Sequence, residues 1–519
     1  MRKLELTALI FYIKIILLAI LLISGLLELL FFPSFANSIG IFVTIVSFIL
    51  YTRFVFRIDV MRHRPISFIA FSTLILFMYL PLPITILDGN EMSHHLYNPI
   101  LTYLLQLFYF VCCILAFVLA GSYSKSFHGI STFLKRVGFF TTPTMTQLWI
   151  LGLIGWGFKY AIMRSQFSGD GHYQAGLGTL SLFASLIYAP LLILFFPLIG
   201  GRPAQRRYKI IVFLYMISMM ILLVATNSRN QVVMPLITVL LCYTISLFYK
   251  RTIIISKIKI ITSILLILLM VGPLSDMAFA MLVARSQRQN TKFTVLLDKT
   301  MEIFNNKEKL YRLKSLAEKS INKSDRIKTA DWDEYYVSSI FLNRVCNYRV
   351  VDASIYHAQR AGIPNQYMMD DFLTRLMIMF PQPIVDLLFG HIDKAKYAYS
   401  PQDKLYAVST NRPLQVGYKV GGDVGLALSI FGFMAFPIIV LIYMFEFVLF
   451  DNLSLKRRGI GLFSFITLIS IYSTFFLRYV VGGGIFSHFI SLIWGIPFNM
   501  FCLLVVYNIV RIVIPYGKQ

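Results

Sequence analysis

Arginines in the segment 342–352 are placed where they could bind a phosphate or pyrophosphate group. Arg344, Tyr348 and Asp352 follow one another at four-residue spacing, and Arg349 lies beside them. On a helix this spacing puts them on one face, which also carries apolar residues, so we expect Arg344 to point toward protein or a ligand. A guanidinium group binds phosphate oxygens in a bidentate manner and stays charged. The alternative is an internal ion pair between Arg344 and Asp352.

Further cationic residues could join the same anion-binding site. Arg229 lies in a polar corner between two apolar runs, where a snorkelling arginine is the alternative interpretation. Arg478 precedes three glycines whose amides could bind an anion, with a plain turn as the alternative. Several arginines converging on one face suit a pyrophosphate, because together they offset its charge. The predicted substrate-binding residues are Arg229, Arg285, Arg288, Arg344, Arg349, Arg412, Tyr418 and Arg478.

A reaction that transfers a group onto a hydroxyl needs a general base, and histidines and carboxylates are the candidates. We predict His391, which follows Phe389 and Gly390 in an irregular stretch, and Asp352 as the catalytic residues. A lone loop histidine without a chemical role is the alternative for His391. The remaining candidates for the base are His357, Glu334 and His172.

The sequence predicts neither a metal site nor a cofactor. Asp88, Glu91, His94 and His95 could bind a divalent ion, but no helical or turn spacing fixes their geometry, so we interpret them as a solvated loop. Of the five cysteines, only Cys346 lies outside an apolar run, which disfavours a disulfide framework or a thiolate site. Nothing matches a glycine-rich phosphate loop with its lysine.

The elements that must position these residues are membrane-spanning helices. Hydrophobic residues make up 57% of the chain, charged residues 14%, and the mean hydropathy is +0.72. A soluble protein of 519 residues would be far less apolar. Apolar runs of about 18 or more residues predict an all-α polytopic protein with about twelve transmembrane helices. The runs are Leu6–Phe32, Phe35–Tyr51, Ile66–Leu87, Tyr97–Gly121, Thr146–Met163, Leu177–Ile199, Ile210–Ala225, Val232–Tyr249, Ile260–Val283, Val424–Phe450, Ile460–Val480 and Ile485–Val513.

Lysine and arginine are concentrated in alternate loops between these runs, which predicts the orientation. Cytoplasmic loops carry the basic excess, so we expect both termini in the cytoplasm. The net charge of +24 is then explained by topology and anionic lipid rather than by a nucleic-acid partner. The basic loops contain Arg53–Arg64, Lys125–Arg136, Arg202–Lys209, Lys250–Lys259 and Lys456–Arg458.

The long polar interval Arg285–Asp423 holds half of the chain's charged residues and is expected outside the cytoplasm. No ATP is present there, so a reaction must use a pre-activated, membrane-borne substrate. We therefore divide the chain into transmembrane helices 1–9 (1–283), a large, mostly helical periplasmic or extracellular loop (284–423) and transmembrane helices 10–12 (424–519).

Three amphipathic helices are predicted inside this interval, followed by an irregular stretch. The first covers Phe293–Phe304 and continues toward Lys319, and the second runs from about Val337 to a stop near Gly362. The third, Phe372–Phe380, follows Asp370 as its cap. From Pro381 to Gly422, prolines, tyrosines and glycines predict irregular structure.

Three short motifs resemble those of the Wzy-type O-antigen or oligosaccharide repeat-unit polymerases. They are the Asn-Ser-Arg corner at Arg229, the Leu-Asn-Arg element at Arg344, and the segment Lys404–Gly425, which ends in Gly417-Tyr-Lys-Val-Gly-Gly-Asp-Val-Gly425 before a helix. The number of helices and the large loop extend the likeness over most of the chain. The approach through Pro381 and Pro383 departs from the pattern, so the likeness is carried by Gly417–Gly425.

The resemblance implies a glycosyltransferase of the bacterial cytoplasmic membrane that joins undecaprenyl-pyrophosphate-linked repeat units at the outer face. The product would be an O-antigen, a capsule or an exopolysaccharide. Arginines would stabilise the negative charge that develops on the pyrophosphate as the glycosidic bond breaks, without a metal. Expected partners are the lipid-linked oligosaccharides, membrane lipid, a chain-length regulator and a flippase.

Two other functions fit the same features. A ligase that moves a finished glycan from the same lipid carrier would need similar arginines and a similar loop. A lipid-linked oligosaccharide flippase or transporter would also have about twelve helices, but the two halves of this chain show no repeat.

Overall fold

The computed structural model describes residues 2–124, 129–166, 182–224, 229–250, 252–255, 272–285, 293–321, 332, 334–337, 339, 342–344, 346–417, 419–457, 460–476 and 484–515. Helices dominate this part of the chain. Apolar side chains cover much of its outer surface, as in a protein surrounded by lipid. The prediction of a helical membrane protein is confirmed.

In the N-terminal half, prolines and a capping serine set where helices begin. Pro65 and Pro81 occupy the first turn of their helices, where the missing N–H removes no helical hydrogen bond. The Ser34 side chain accepts the backbone N–H of Asn37 and caps the second helix. A 3-10 helix, Ser185–Ile199, separates the eighth helix from the ninth. The helices are α1 (Leu6–Phe31), α2 (Phe35–Phe54), α3 (Ile58–His63), α4 (Pro65–Tyr79), α5 (Pro81–Leu87), α6 (Pro99–Ser124), α7 (Gly129–Arg136), α8 (Met145–Gln166), α9 (Arg206–Val224) and α10 (Arg229–Phe248).

The C-terminal half continues with shorter helices and two two-stranded antiparallel ladders. The ladders pair β1 (Arg2–Glu5) with β2 (Thr252–Ile255) and β3 (Ser454–Arg457) with β4 (Ile460–Phe463). The helices are α11 (Pro273–Arg285), α12 (Phe293–Asn305), α13 (Lys307–Ile321), α14 (Tyr348–Ala361), α15 (Gln366–Ile378), α16 (Gln382–Phe389), α17 (Pro401–Thr410), α18 (Asp423–Phe431), α19 (Ala435–Asp451), α20 (Phe465–Ile469), α21 (Ile485–Ile490) and α22 (Ile496–Val513).

Seven helical segments of the described residues are long and apolar enough to cross a membrane. An eighth is the pair α4–α5, which is bent by 43°. The count of about twelve spans therefore stays a prediction, partly because 260–271 and 477–480, which belong to two predicted spans, lie outside the described residues. The seven segments are Leu6–Phe31, Phe35–Phe54, Pro99–Ser124, Leu182–Ile199, Gln231–Phe248, Asp423–Asp451 and Ile485–Val513.

Several of the loops predicted to be basic and cytoplasmic meet at one end of the helix bundle, called here the basic end. Arg62 donates to the backbone oxygen of Phe248, and β1 pairs with β2. Arg64 forms a 2.6 Å ion pair with Asp451, which ties the start of α4 to the end of α19. The opposite end carries the loop between α5 and α6, and α14 packs there.

Helix boundaries in the interval 284–423 differ from the prediction because asparagines cap the helices. Asn347 accepts the N–H of Val350, so α14 begins at Tyr348 rather than near Val337. Asn365 caps α15, and Asp370 instead lies inside that helix. The stretch predicted to be irregular contains α16 and α17, the latter opened by a capping box between Ser400 and Asp403.

The segment Asp423–Asp451 is folded back on itself as a helical hairpin. In a straight helix Asp423 and Tyr443 would lie about 30 Å apart, yet Tyr443 Oη is 3.0 Å from Asp423 Oδ2. The chain reverses at Gly432, whose φ of +58° lies in a region that glycine enters readily. As a result α18 runs antiparallel to α19, with Asp423 inside the bundle rather than at its surface.

Candidate functional site

The helix α14 carries both Asp352 and Arg349, and it is buried against the start of α6. Asp352 Oδ2 accepts the backbone N–H of Tyr97 at 2.6 Å, and Oδ1 accepts the N–H of Asn98 at 3.0 Å and the hydroxyl of Thr102 at 2.8 Å. Burial raises the pKa of Asp352 above its ordinary value, although these hydrogen bonds oppose the shift. With its side chain 1% exposed, Asp352 acts as an anchor between two helices.

The side chain of Arg349 is buried and makes contacts within the protein. Its side chain is 1% exposed, its Nη1 lies 3.5 Å from Asp352 Oδ2, and its guanidinium stacks 4.0 Å from the centre of the Tyr97 ring. Asp352 is thus paired with Arg349. The alternative pair between Arg344 and Asp352 is not tested, because the side chain of Arg344 lies outside the described part of the structure. A role of Arg349 in substrate binding stays a prediction.

The other predicted site residues are spread along the interval. His391 is 79% exposed, with Nδ1 3.2 Å from Asp386 Oδ1, so it is open to solvent beyond α16. Arg412 is exposed and donates to Tyr406 Oη at 2.7 Å. The structure describes the backbone of Arg229, Arg285 and Arg344, but their side chains lie outside the description, as do the whole residues Arg288, Tyr418, Arg478 and His172.

The loop between α5 and α6, predicted to be solvated, is hydrogen-bonded to α2. Glu91 accepts a hydrogen bond from Asn37 at 3.1 Å, and burial lowers the pKa of His94. No group of three or more metal-ligand side chains is found within the described residues.

Four aromatic side chains and one histidine form a surface that the sequence interpretation missed, called here the aromatic shelf: Tyr97, Trp332, Tyr356, His357 and Tyr406. Tyr97 and Tyr356 are stacked at 4.2 Å, and Trp332 is stacked on His357 at 5.1 Å. Tyr406 meets His357 edge-on at 5.2 Å. The four residues other than His357 are partly exposed. The five residues of the shelf come from four separate stretches of the chain, so no local sequence pattern predicts that they lie together.

Cationic groups border the aromatic shelf. Lys419 Nζ lies 4.7 Å from the centre of the Tyr406 ring, and Arg412 lies 5.9 Å from it. Asp403 accepts the Lys419 ammonium at 3.4 Å. Burial raises the pKa of Asp403, but hydrogen bonds from the N–H groups of Ser400 and Lys419 outweigh it, and the net shift is downward. Asp403 thus stays ionised and fixes Lys419 beside Tyr406.

Two of the elements that carry the family resemblance meet next to the shelf. The backbone oxygen of Glu334 accepts the side-chain amide of Asn343, and its carboxylate accepts the N–H of Val420 at 2.7 Å. Trp332 donates to the oxygen of the same Val420 at 3.1 Å. The Leu342–Arg344 turn and the Gly417–Gly425 segment are therefore linked through Glu334, although they are distant in sequence.

Close backbone contact explains the glycines of this segment. A Cβ on Gly425 would lie 2.3 Å from the carbonyl carbon of Ser354, and one on Gly422 would lie 3.0 Å from Val351 Cα. Gly422 also donates its N–H to Ser354 Oγ at 3.1 Å. The glycines let α18 cross α14 at backbone distance.

A second polar cluster lies inside the bundle, at the inner end of the same segment. Tyr109 and Tyr443 both donate to Asp423 Oδ2, at 2.8 and 3.0 Å. His488 Nδ1 lies 3.0 Å from Glu446 Oε2, and its Nε2 lies 3.6 Å from Asp423 Oδ2. The sequence interpretation did not include this cluster. Glu446 and His488 lie inside long apolar runs, and ionisable residues in such runs indicate a polar site within the membrane.

Comparisons with protein-family models, with curated proteins and with solved structures find no match for this chain. A proposal for its function therefore rests on its residues and their geometry.

Proposed function

We propose that this protein is a membrane glycosyltransferase that joins undecaprenyl-pyrophosphate-linked oligosaccharide repeat units at the outer face of a bacterial cytoplasmic membrane. The observation that carries the proposal is that Glu334 accepts hydrogen bonds from both elements, from Asn343 of the Leu342–Arg344 turn and from Val420 of the Gly417–Gly425 segment. Two motifs that resemble those of repeat-unit polymerases thus border one surface, as parts of one active site would.

The proposed topology has about twelve spans, with the basic end in the cytoplasm and the aromatic shelf outside. Clustering of basic loops at one end supports this orientation, because the shelf lies at the opposite end of α6. Cysteine labelling of intact cells at Arg412, which is exposed beside the shelf, tests it. Labelling by a membrane-impermeant reagent supports the proposal, and protection there with labelling at exposed Arg206 reverses the orientation.

The aromatic shelf suits a sugar. Pyranose rings present C–H faces that pack on aromatic rings, and the partly exposed rings of Tyr97, Tyr356, Trp332 and Tyr406 offer such faces. The neighbouring Lys419 and Arg412 suit the phosphates that a lipid-linked sugar carries. A ligand with both a glycan and a pyrophosphate matches the aromatic shelf through its sugar and the two cations through its phosphates.

The proposed glycosyl transfer needs no cofactor, because every bond that forms is matched by a bond that breaks in the two substrates. The acceptor hydroxyl oxygen bonds to the anomeric carbon of the donor, and the bond from that carbon to the pyrophosphate oxygen breaks. The hydroxyl proton passes to a base, for which His391 is the most exposed of those predicted candidates that the structure describes. The lipid pyrophosphate leaves with the bonding electrons, and arginine and lysine stabilise its charge.

The decisive experiment is the surface glycan of a deletion strain, separated by size on a gel. Loss of a polymerase leaves single repeat units attached to the surface acceptor. Loss of a ligase leaves none attached while lipid-linked polymer accumulates, and that result would replace the proposed activity with glycan ligation.

A second candidate is a lipid-linked oligosaccharide transporter. The observation that favours it is the hairpin α18–α19, which brings Asp423 at a helix N-terminus into contact with His488 inside the bundle, since broken helices with buried ionisable groups are frequent in transporters. Trapping of single lipid-linked units on the cytoplasmic side of the deletion strain would identify transport.

A further inference from the structure

The helix α15 and the start of α16 lie beside a membrane-spanning segment, although both belong to the polar interval 284–423. Phe372 on α15 meets Phe489 edge-on at 5.8 Å, and Phe380, just before α16, meets Trp494 edge-on at 5.7 Å. Both partners belong to Ile485–Val513, one of the seven segments able to cross a membrane. The chain from α15 to α16 therefore follows this segment along its length, in the same direction.

The position of Trp494 along this segment sets the level of α16. The segment has 29 residues. As a helix it is about 44 Å long, which matches a bilayer of about 40–45 Å with its headgroup regions included. Trp494 is about 13 Å from the first residue, so it lies near the boundary of the hydrocarbon core, where tryptophan is enriched. Because Phe380 contacts Trp494, α16 begins at that boundary.

The helix α16 leaves an apolar face open at this level. Leu387 is 83% exposed and Leu388 is 62% exposed, and Ile384 on the same face is also exposed. Val385 is buried and faces the protein. Leucines on an open helix face are unfavourable in water and favourable in lipid, because burial of apolar surface drives partition into the membrane boundary.

The polar side chains of α16 lie away from this apolar face. Gln382 and Asp386 are four residues apart, and Gln382 Nε2 donates to Asp386 Oδ1 at 2.7 Å. His391 Nδ1 lies 3.2 Å from the same carboxylate oxygen. On a helix the centre of the Gln382–Asp386 pair is nearly opposite the centre of the leucine face. The helix is therefore amphipathic, as in segments that lie at a membrane surface.

The apolar face of α16 continues a surface that already faces lipid. Ile493, next to Trp494, and Phe501 are exposed apolar residues of the same membrane-spanning segment. The contact between Phe380 and Trp494 joins this surface to α16. Beyond the helix, Lys396 is exposed, and a lysine at this level suits anionic headgroups. One lipid leaflet can thus cover both elements.

We propose that α16 is an interfacial anchor, whose Ile384, Leu387 and Leu388 insert into the phospholipid leaflet on the side of the aromatic shelf. The partner is the lipid surface, and the contact is made by acyl chains below the headgroups. This inference concerns how the interval 284–423 is held against the membrane, so it holds whether or not the protein transfers glycans.

The anchor also determines where His391 lies. Gly390, with a φ of +79°, ends α16 and turns the chain away from the helix axis. His391 follows directly and is held to Asp386 on the polar side of α16. With the leucines inserted, His391 stands at the level of the lipid headgroups, where a lipid-linked substrate carries its phosphates.

Spin labelling of the purified full-length protein tests the anchor. Of the five cysteines, only Cys502 is not buried, so Cys502→Ser provides the background. Nitroxide labels at Leu387→Cys and Leu388→Cys are measured in nanodiscs of phosphatidylethanolamine and phosphatidylglycerol. Oxygen, which concentrates in acyl chains, should relax both labels several times more strongly than a water-soluble nickel chelate. Arg360→Cys, at the exposed end of α14, is the matched control and should show the reverse order.

The same labels distinguish the other surroundings that an apolar face can have. Stronger relaxation by the nickel chelate at both leucine positions would show that the face is in water. Weak relaxation by both reagents would show that a second copy or another protein covers it. Either result would overturn the proposal.

Photolabelling of the wild type gives a second measurement that needs no variant. A phosphatidylcholine with a diazirine in the upper part of its acyl chain should label a peptide from 382–396, identified by mass spectrometry. The buried part of α14, 349–358, is the internal control and should stay unlabelled. Absence of label from 382–396, with label present on the exposed apolar residues of Ile485–Val513, would contradict insertion of α16.

Discussion

The carboxylate of Asp352 accepts the backbone N–H of Tyr97 at 2.6 Å, and this contact fixes α14 to the start of α6. Through α14 it also positions Ser354, on which the glycine segment before α18 rests. A buried carboxylate thus connects a membrane span to the wall of the candidate site.

Replacing Asp352 with asparagine should lower the stability of the protein. An amide cannot accept hydrogen bonds from Tyr97, Asn98 and Thr102 with both terminal atoms, so at least one buried N–H loses its partner, at a cost of about 1–3 kcal/mol. Thermal unfolding in detergent measures the effect. Asp370→Asn on exposed α15 surface is the control, and equal unfolding temperatures for both variants would show that the contact contributes nothing.

The destabilisation caused by Asp352→Asn should depend on pH. Burial raises the pKa of Asp352 in the folded protein, so its contribution to stability is fully present below the ordinary pKa of an aspartate and is lost as the pH rises through the folded value. The difference in unfolding temperature between wild type and variant should therefore shrink from acidic toward neutral pH. Unfolding curves at a series of pH values test this, and a difference that grows with pH would show that the sign is wrong.

Membrane character could be predicted from the sequence because composition and long apolar runs report it directly. The hairpin at Gly432 could not, since its two arms, α18 and α19, together form one continuous apolar run that satisfies the length of a single span. Only the contact between Asp423 and Tyr443 shows that the chain turns back.

The candidate site was only partly predictable for a similar reason. The spacing of Tyr348 and Asp352 indicated an inward-facing helix, and both side chains are buried on α14. Arg344 lies before the start of that helix, and the spacing did not indicate that Arg349 pairs with Asp352. The aromatic shelf joins residues as distant as Tyr97 and Tyr406, and no local periodicity relates them.

Gly425→Ala should be among the most damaging conservative changes. The added Cβ would lie 2.3 Å from the backbone of Ser354, so α14 and α18 must separate, at a cost of about 1–3 kcal/mol. Gly157→Ala on α8 is the control, because its Cβ would meet no atom within 4 Å. Protein yield and unfolding temperature measure both, and similar values for the two variants would contradict a close crossing of the helices.

Tyr406→Ala should shorten the surface glycan while the protein level in the membrane stays near normal. Tyr406 contacts His357 edge-on and lies close to the charged groups of Lys419 and Arg412. If the shelf binds the glycan as proposed, the loss of this ring removes a surface for the sugar and a contact of both cations. Loss of one stacking ring corresponds to about 1 kcal/mol, or a several-fold weaker affinity for the glycan. Tyr367→Ala on α15, where the ring is 67% exposed, is the control. Normal polymer length in both variants would remove the shelf from the site.

Arg344→Lys should be nearly as damaging to polymer length as Arg344→Ala. Arg344 ends the turn that Glu334 links to the Gly417–Gly425 segment. The carboxylate nearest to it in sequence, Asp352, is paired with Arg349. If Arg344 binds the pyrophosphate of the carrier lipid, the planar guanidinium fork matters as much as the charge, and a lysine cannot replace it. Polymer length on gels and protein level by immunoblot should be measured together, with Arg360→Ala at the exposed end of α14 as the control. Rescue by lysine would indicate a simple ion pair, and normal polymer from Arg344→Ala at normal protein level would exclude the residue from substrate binding.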